Sequence, residues 1–207
     1  MRSISFWRAA DPLILASKST IRITLLRQAG LPVIPISADI DERTMSANLE
    51  NSSDLGTEIA KHLAREKALA VSKLHPDHYV IGADQTLALG NQLLHKPGTR
   101  DEAHEQLQNL SSKTHILTSA ATLVRNGETI CSASDQARLA MRALTDAEIR
   151  HYLEAAGDDA LASVGSYQLE GLGIHLFERI EGDYFTILGL PLLFLLQELR
   201  AKGLAAL

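Results

Sequence analysis

One cysteine, Cys131, in 207 residues excludes an intrachain disulfide framework and any zinc site built from several thiolates. It suits a reducing cytosol, and the expected role of Cys131 is that of a small core hydrophobe. The N-terminal stretch MRSISFWRAAD lacks the continuous apolar run of a secretory signal. The longest apolar stretch, ILGLPLLFLL, is about half the length needed to span a bilayer. The expectation is a soluble, cytoplasmic protein with no membrane partner. Positive charge is outnumbered, with 20 Lys and Arg against 25 Asp and Glu. A net charge of -5 leaves no broad basic surface to neutralise a nucleic acid backbone, so nucleic acid is not an expected partner. Any anion bound here must meet a small local cluster of Lys and Arg. Internal repeats, low-complexity tracts and a clear linker are missing as well.

What is present is enough for a folded core. Hydrophobic residues make up 45% and charged residues 22%, which fits one domain over residues 1–207 or two tightly joined lobes. PLILAS (Pro12 to Ser17) reads as a buried strand, followed by a helix in KSTIRITLLRQAG with Ser19 or Thr20 as cap and Gly30 as stop. LPVIPIS resumes extended structure and leads to the acidic turn ADIDER, and Met45 to Gly56 reads as a polar loop. A long helix is expected over roughly Thr57 to Leu74. Capping boxes stand at Thr99/Glu102 and Thr145/Glu148, the second with Gly157 as its stop. Between them HILTSAATLVRNGETICSA alternates around Asn126-Gly127, a hairpin pattern. HLFERIEGDYFTIL reads as a further strand pair and LPLLFLLQELRAKG as a closing helix. Strands alternating with helices, with a hairpin among them, predict an α/β fold built on a mixed sheet.

The segment YVIGADQTLALG, Tyr79 to Gly90, places Asp84 and Gln85 between two apolar runs that read as buried strand. A buried carboxylate is costly unless it is paired, hydrogen-bonded or holding a metal. A strand-end Asp also serves as a cap for the next turn, and the turn bearing Asp39, Asp41 and Glu42 reads equally as solvated. Three cations match these carboxylates. Lys67 follows Leu63 by four residues, on the stripe of Ile59, Ala60, Leu63, Ala64, Ala68 and Val71. It either snorkels from the edge of that stripe or points inward at an anion. Arg22 stands just inside the turn after the first strand, where Ser17, Ser19 and a helix N-terminus suit a phosphate, and where a capping serine with a surface arginine is the equal alternative. That turn lacks the glycines of a P-loop. Lys96, before Pro97, is held extended, and taken alone it reads as a surface loop lysine. Carboxylates for a hard divalent metal and cations for a polyphosphate are the composition that phosphoanhydride chemistry needs. His75 and His78, around Pro76, read as surface histidines.

Taken together, LILASKSTIRITLLRQAG, DIDER, AREKALA, VIGADQTLAL, HKPGTRDEAHEQLQNLSSKTH and VGSYQLEGLGIHLFERIEGDYFTILGLPL resemble, in order, the motifs of the Maf family of nucleoside triphosphate pyrophosphatases. The resemblance covers nearly the whole chain. It implies a mixed twisted sheet flanked by helices, two lobes around a cleft, similar to inosine triphosphate pyrophosphatases and often homodimeric. It implies hydrolysis of a nucleoside triphosphate to monophosphate and pyrophosphate with Mg²⁺ or Mn²⁺. Carried over, Asp84 is the general base or a metal carboxylate and Glu42 the second carboxylate. Lys67, Arg22 and Lys96 bind the phosphate chain, with Ser17 at the turn. The family's Pro is Thr20 here, and Ile21 and Ile23 stand where Arg or another large residue is usual. A nucleotide-binding regulator of cell division, with little catalysis, is the alternative the family offers.

Within the family, the branch acting on dTTP and UTP has Asp-Thr at the base position and a glutamine in the C-terminal motif. Gln85 and Glu170 stand there in this chain, which resembles the branch that removes 7-methyl-GTP. A carboxylate accepts two N–H bonds from a guanine edge but faces two carbonyls across uracil or thymine. Ile21 offers no aromatic face to stack on the base, a contact worth roughly 1–3 kcal/mol where present.

Overall fold

The computed structural model describes residues 6–42 and 54–206, so most of the polar loop expected at Met45 to Gly56 lies outside the described residues. β1 (Leu13–Leu15) is buried at every position and pairs in parallel with both β2 (Val33–Pro35) and β3 (Val80–Leu89). A strand covered on both faces has no polar side, which is why LIL reads as an unbroken apolar run. β4 (Gln92–Leu94) folds back antiparallel on the end of β3 after Gly90, whose φ of 59° is the left-handed region that glycine enters without strain. β5 (Thr114–Arg125) and β6 (Glu128–Met141) form the expected hairpin, with Asn126 and Gly127 at φ 52° and 71°. β7 (Phe177–Glu181) closes the sheet antiparallel to β6. The order is β2-β1-β3-β5-β6-β7 with β4 on β3, a seven-stranded mixed sheet.

Helices flank it: α1 (Thr20–Gln28), α2 (Leu55–Ser72), α3 (Arg100–Leu110), α4 (Asp146–Ala156), α5 (Asp159–Ala162), α6 (Tyr184–Ile187) and α7 (Leu192–Ala201). No helix among the described residues is long and apolar enough to cross a membrane.

The chain divides into two compact units. One takes the N-terminal residues through Gln85, Ser119–Asp135 and the chain from Gly189 onward; the other takes Thr86–Thr118 and Gln136–Leu188. In the first unit, Ala68 and Val71 of α2 pack on Ile14, Ala16, Val80 and Val124, while Ala60 and Ala64 meet Ala120. The predicted stripe on α2 is buried in full: Ile59, Ala60, Leu63, Ala64, Ala68 and Val71. In the second unit Leu107, Leu110, Leu139, Met141 and Ile149 build the core with Tyr152, Leu153 and Tyr167.

Several expectations are corrected. β3 is one continuous strand of ten residues, so Asp84 sits in its middle and caps no turn. Of the strand pair expected in HLFERIEGDYFTIL only β7 forms. Gly182, at φ 131°, bends the chain, and the Asp183 carboxylate accepts from the Thr186 amide at 2.9 Å, which starts α6 instead. The box at Thr145/Glu148 is complete, but Glu102 accepts from the Gly98 amide at 2.6 Å rather than from its own cap residue. Cys131 is half-buried on β6, outside the core.

Candidate active site

Gly82 decides where α2 lies on β3. A Cβ built there falls 2.0 Å from the Ala64 carbonyl oxygen and 2.6 Å from the Ala68 nitrogen, so only glycine permits this approach of strand and helix backbones. The contact brings the helix turn bearing Lys67 against the strand position of Asp84. Lys67 Nζ donates to Asp84 Oδ1 at 2.5 Å and reaches Glu42 Oε1 at 2.9 Å. The Lys67 and Asp84 side chains are each only 11% exposed, against 54% for Glu42. Lys67 therefore points inward, and one ammonium serves two carboxylates.

Burial pushes the Asp84 carboxyl above its usual range, while Lys67 and Arg22 pull the other way. Burial likewise lowers the Arg22 guanidinium, opposed by Asp84 and then Glu42. Removing one partner of such a buried pair commonly costs about 3–5 kcal/mol, because the other charge is left behind.

Arg22 is held by three segments. Ser19 caps α1 by accepting from the Arg22 amide, and the guanidinium turns back from the first helical turn. Nε donates to the Gly189 carbonyl at 2.7 Å and Nη1 to the Ala83 carbonyl at 3.0 Å, with Ser17 Oγ at 3.5 Å. Ala83 is the residue before Asp84, so Arg22 ties β3 to the β1–α1 turn and to the chain ahead of α7. Gly189 is at φ 95° beneath this guanidinium. Nη2 makes no hydrogen bond among the described residues.

Gln85 donates from Nε2 to Ser119 Oγ on β5 at 3.1 Å, and Ser119 is fully buried. Ile21 is half-buried on α1. Ser17, Arg22, Glu42, Lys67, Asp84 and Gln85 all belong to the first unit. Lys96 and Glu170 belong to the second, and both are exposed. Asp39 and Asp41 are exposed beside Glu42, and His75 and His78 lie edge to face with ring centroids 5.9 Å apart.

Gly82, Ser119 and the two carbonyls that hold Arg22 were not anticipated. A glycine inside an apolar strand signals close backbone approach, and Thr118-Ser119 is a polar pair in an apolar run. No side-chain pattern marks a carbonyl.

Comparison with known proteins identifies the family. The Maf-like protein family matches residues 12–202. The chain is 54% identical over 203 residues to a nucleoside triphosphate pyrophosphatase of Bradyrhizobium diazoefficiens, covering 98% of this chain and all of that one. It is 52% identical over 205 residues to a protein of the same name in Rhodopseudomonas palustris strain BisB18, covering 98% of this chain and all of that one. A 7-methyl-GTP pyrophosphatase of Brucella abortus biovar 1 is 50% identical over 190 residues, 92% of this chain and 96% of that protein. The chain belongs to the Maf family.

Proposed function

We propose that this protein hydrolyses a nucleoside triphosphate to the monophosphate and pyrophosphate, with Asp84, Glu42 and Lys67 as the centre of the reaction. The observation that carries this reading is the single ammonium of Lys67 shared between the two carboxylates. Water attacks the α-phosphorus, a new P–O bond forms, and the bond to the bridging oxygen breaks with pyrophosphate leaving. Asp84 takes the water proton, since burial makes its carboxylate a stronger acceptor than a free one. Lys67 and the free edge of Arg22 meet charge on the phosphate chain, together with Ser17 at the turn and, by family resemblance, Lys96.

A divalent metal fits the residues present. Two carboxylates already converge on one cation, and Mg²⁺ or Mn²⁺ favours one or two carboxylates with phosphate oxygens and water completing the shell. Among the described residues no group of three or more His, Cys, Asp or Glu could hold a metal. Asp84 and Glu42 would hold the ion, which would supply charge neutralisation at the phosphates.

For the base, a guanine-type nucleotide is the proposal, with 7-methyl-GTP the best single candidate. Gln85 and Glu170 support it, as does the similarity to the Brucella 7-methyl-GTP pyrophosphatase. Product analysis on a panel of canonical and modified triphosphates tests both levels. Monophosphate with equimolar pyrophosphate supports the reaction. Tight binding without product, at any divalent metal, points to the regulatory alternative. Turnover of UTP or dTTP well above every guanine nucleotide overturns the base assignment alone.

A further inference from the structure

His115 on β5 is fully buried, and its Nε2 lies 2.6 Å from the hydroxyl of Tyr167, itself 4% exposed. Burial holds the imidazole down at about 4 and the phenol well above its ordinary value, so both are neutral near pH 7. The Nδ1 of His115 has no hydrogen-bond partner among the described residues. A leucine or phenylalanine at this position would avoid that unpaired buried atom. The imidazole is thus costly as a core residue, and what it supplies is a fixed partner for the Tyr167 hydroxyl.

Tyr167 anchors an unusually constrained turn. Gly165 and Ser166 both have positive φ, 78° and 64°, and a Cβ at Gly165 would fall 2.5 Å from Leu87 Cδ1. Ser166 Oγ donates to Gln106 Oε1 at 3.0 Å, and the Ser166 carbonyl accepts from the Tyr152 hydroxyl at 3.2 Å. The Tyr167 ring stands edge to face on Phe177, centroids 4.8 Å apart. The Gln168 carbonyl then accepts from the Gly171 and Gly173 amides at 3.2 and 3.1 Å. Within this closed turn the exposed charged side chain is Glu170.

We propose that the His115–Tyr167 hydrogen bond is a positioning device: it holds the Gly165–Gly173 turn, and through it sets the Glu170 carboxylate for base selection. This rests on the reading of Glu170 given above. His115 and Tyr167 act through the turn and touch no reacting atom.

The test uses the full chain and four variants: Tyr167→Phe, His115→Phe, the double variant and Glu170→Gln. Each single Phe substitution removes the bond and leaves one buried polar group unpaired; the double variant removes both. Thermal stability falls in the singles and recovers in the double. Amide hydrogen exchange across Gly165–Gly173 speeds up in all three, the double included. The kcat/KM ratio of 7-methyl-GTP over UTP falls at least about tenfold in all three, as in Glu170→Gln. Exchange in the turn that stays at the wild-type rate in the Phe variants, or recovers along with stability in the double, overturns the positioning role. If Glu170→Gln shifts the ratio and the Phe variants do not, the link from turn to selection is overturned. An unchanged ratio in Glu170→Gln removes the base-selection reading itself, and the lock then stands or falls on exchange.

Discussion

Lys67 Nζ lies 2.5 Å from Asp84 Oδ1, joining a helix to the middle of a strand through two side chains that are each 11% exposed. Replacing Lys67 by Met keeps the stem and deletes the charge, leaving Asp84 and Glu42 without their shared cation. The expected result is a fall in kcat of at least about a hundredfold. Stability should drop by about 3 kcal/mol at pH 7, read by urea unfolding. Activity within a factor of about two of wild type would place Lys67 outside the reaction.

Gly82→Ala tests whether strand and helix must touch at this point. The added Cβ meets the Ala64 carbonyl at 2.0 Å, and neither backbone can yield as a flexible side chain would. We expect a loss of about 1–3 kcal/mol or more, the range for overpacking a tight core. Activity should fall with it, because α2 carries Lys67. Circular dichroism melting with an activity assay separates the two effects, and a variant with native Tm and native kcat would contradict the geometry.

Arg22→Lys keeps the charge but cannot reproduce two diverging bonds to Gly189 and Ala83. If the guanidinium chiefly positions the strand at Asp84, kcat falls about tenfold or more with KM changed much less. A rise in KM with kcat intact would mark Arg22 as a phosphate ligand alone.

Acid stability follows from His115. Its folded value of about 4 lies below the ordinary 6.5. As pH falls from 6.5 towards about 4 the unfolded chain takes up the proton first, so stability declines through that window and levels off below it. The contribution is on the order of 3 kcal/mol. His115→Phe should flatten this part of the pH profile of unfolding free energy, while an identical slope would contradict the burial of a neutral imidazole.

Much of this was legible in the residues because local patterns and tertiary packing agreed. The stripe on α2, the Asn126-Gly127 hairpin and the Thr145/Glu148 box are short-range signals, and each formed where its pattern placed it. Asp84 and Lys67 were singled out from the chemistry they would need and Glu42, one of three acidic residues in its turn, by family resemblance, and the fold brings the three side chains together. What escaped was long-range or written in backbone. Arg22 meets Gly189 across 167 residues through a carbonyl that every residue carries, so no side-chain pattern announces it. Asp84 was placed at a strand end because a carboxylate within a buried strand is rare. Lys67, on another element, is what makes the position tolerable. Residues 184–187 are aromatic and β-branched and so read as strand, yet one glycine and one capping aspartate just before them start a helix.

The central claim is that Asp84 carries the hydrolysis. Asp84→Asn keeps size and a hydrogen-bonding partner for Lys67 while deleting the negative charge. Pyrophosphate release from 7-methyl-GTP, or from whichever triphosphate the wild type turns over fastest, should be measured with Mg²⁺ or Mn²⁺ on a variant whose melting curve shows it folded. The account predicts a kcat lower by at least about a thousandfold. Release at a rate near that of the wild type would contradict it.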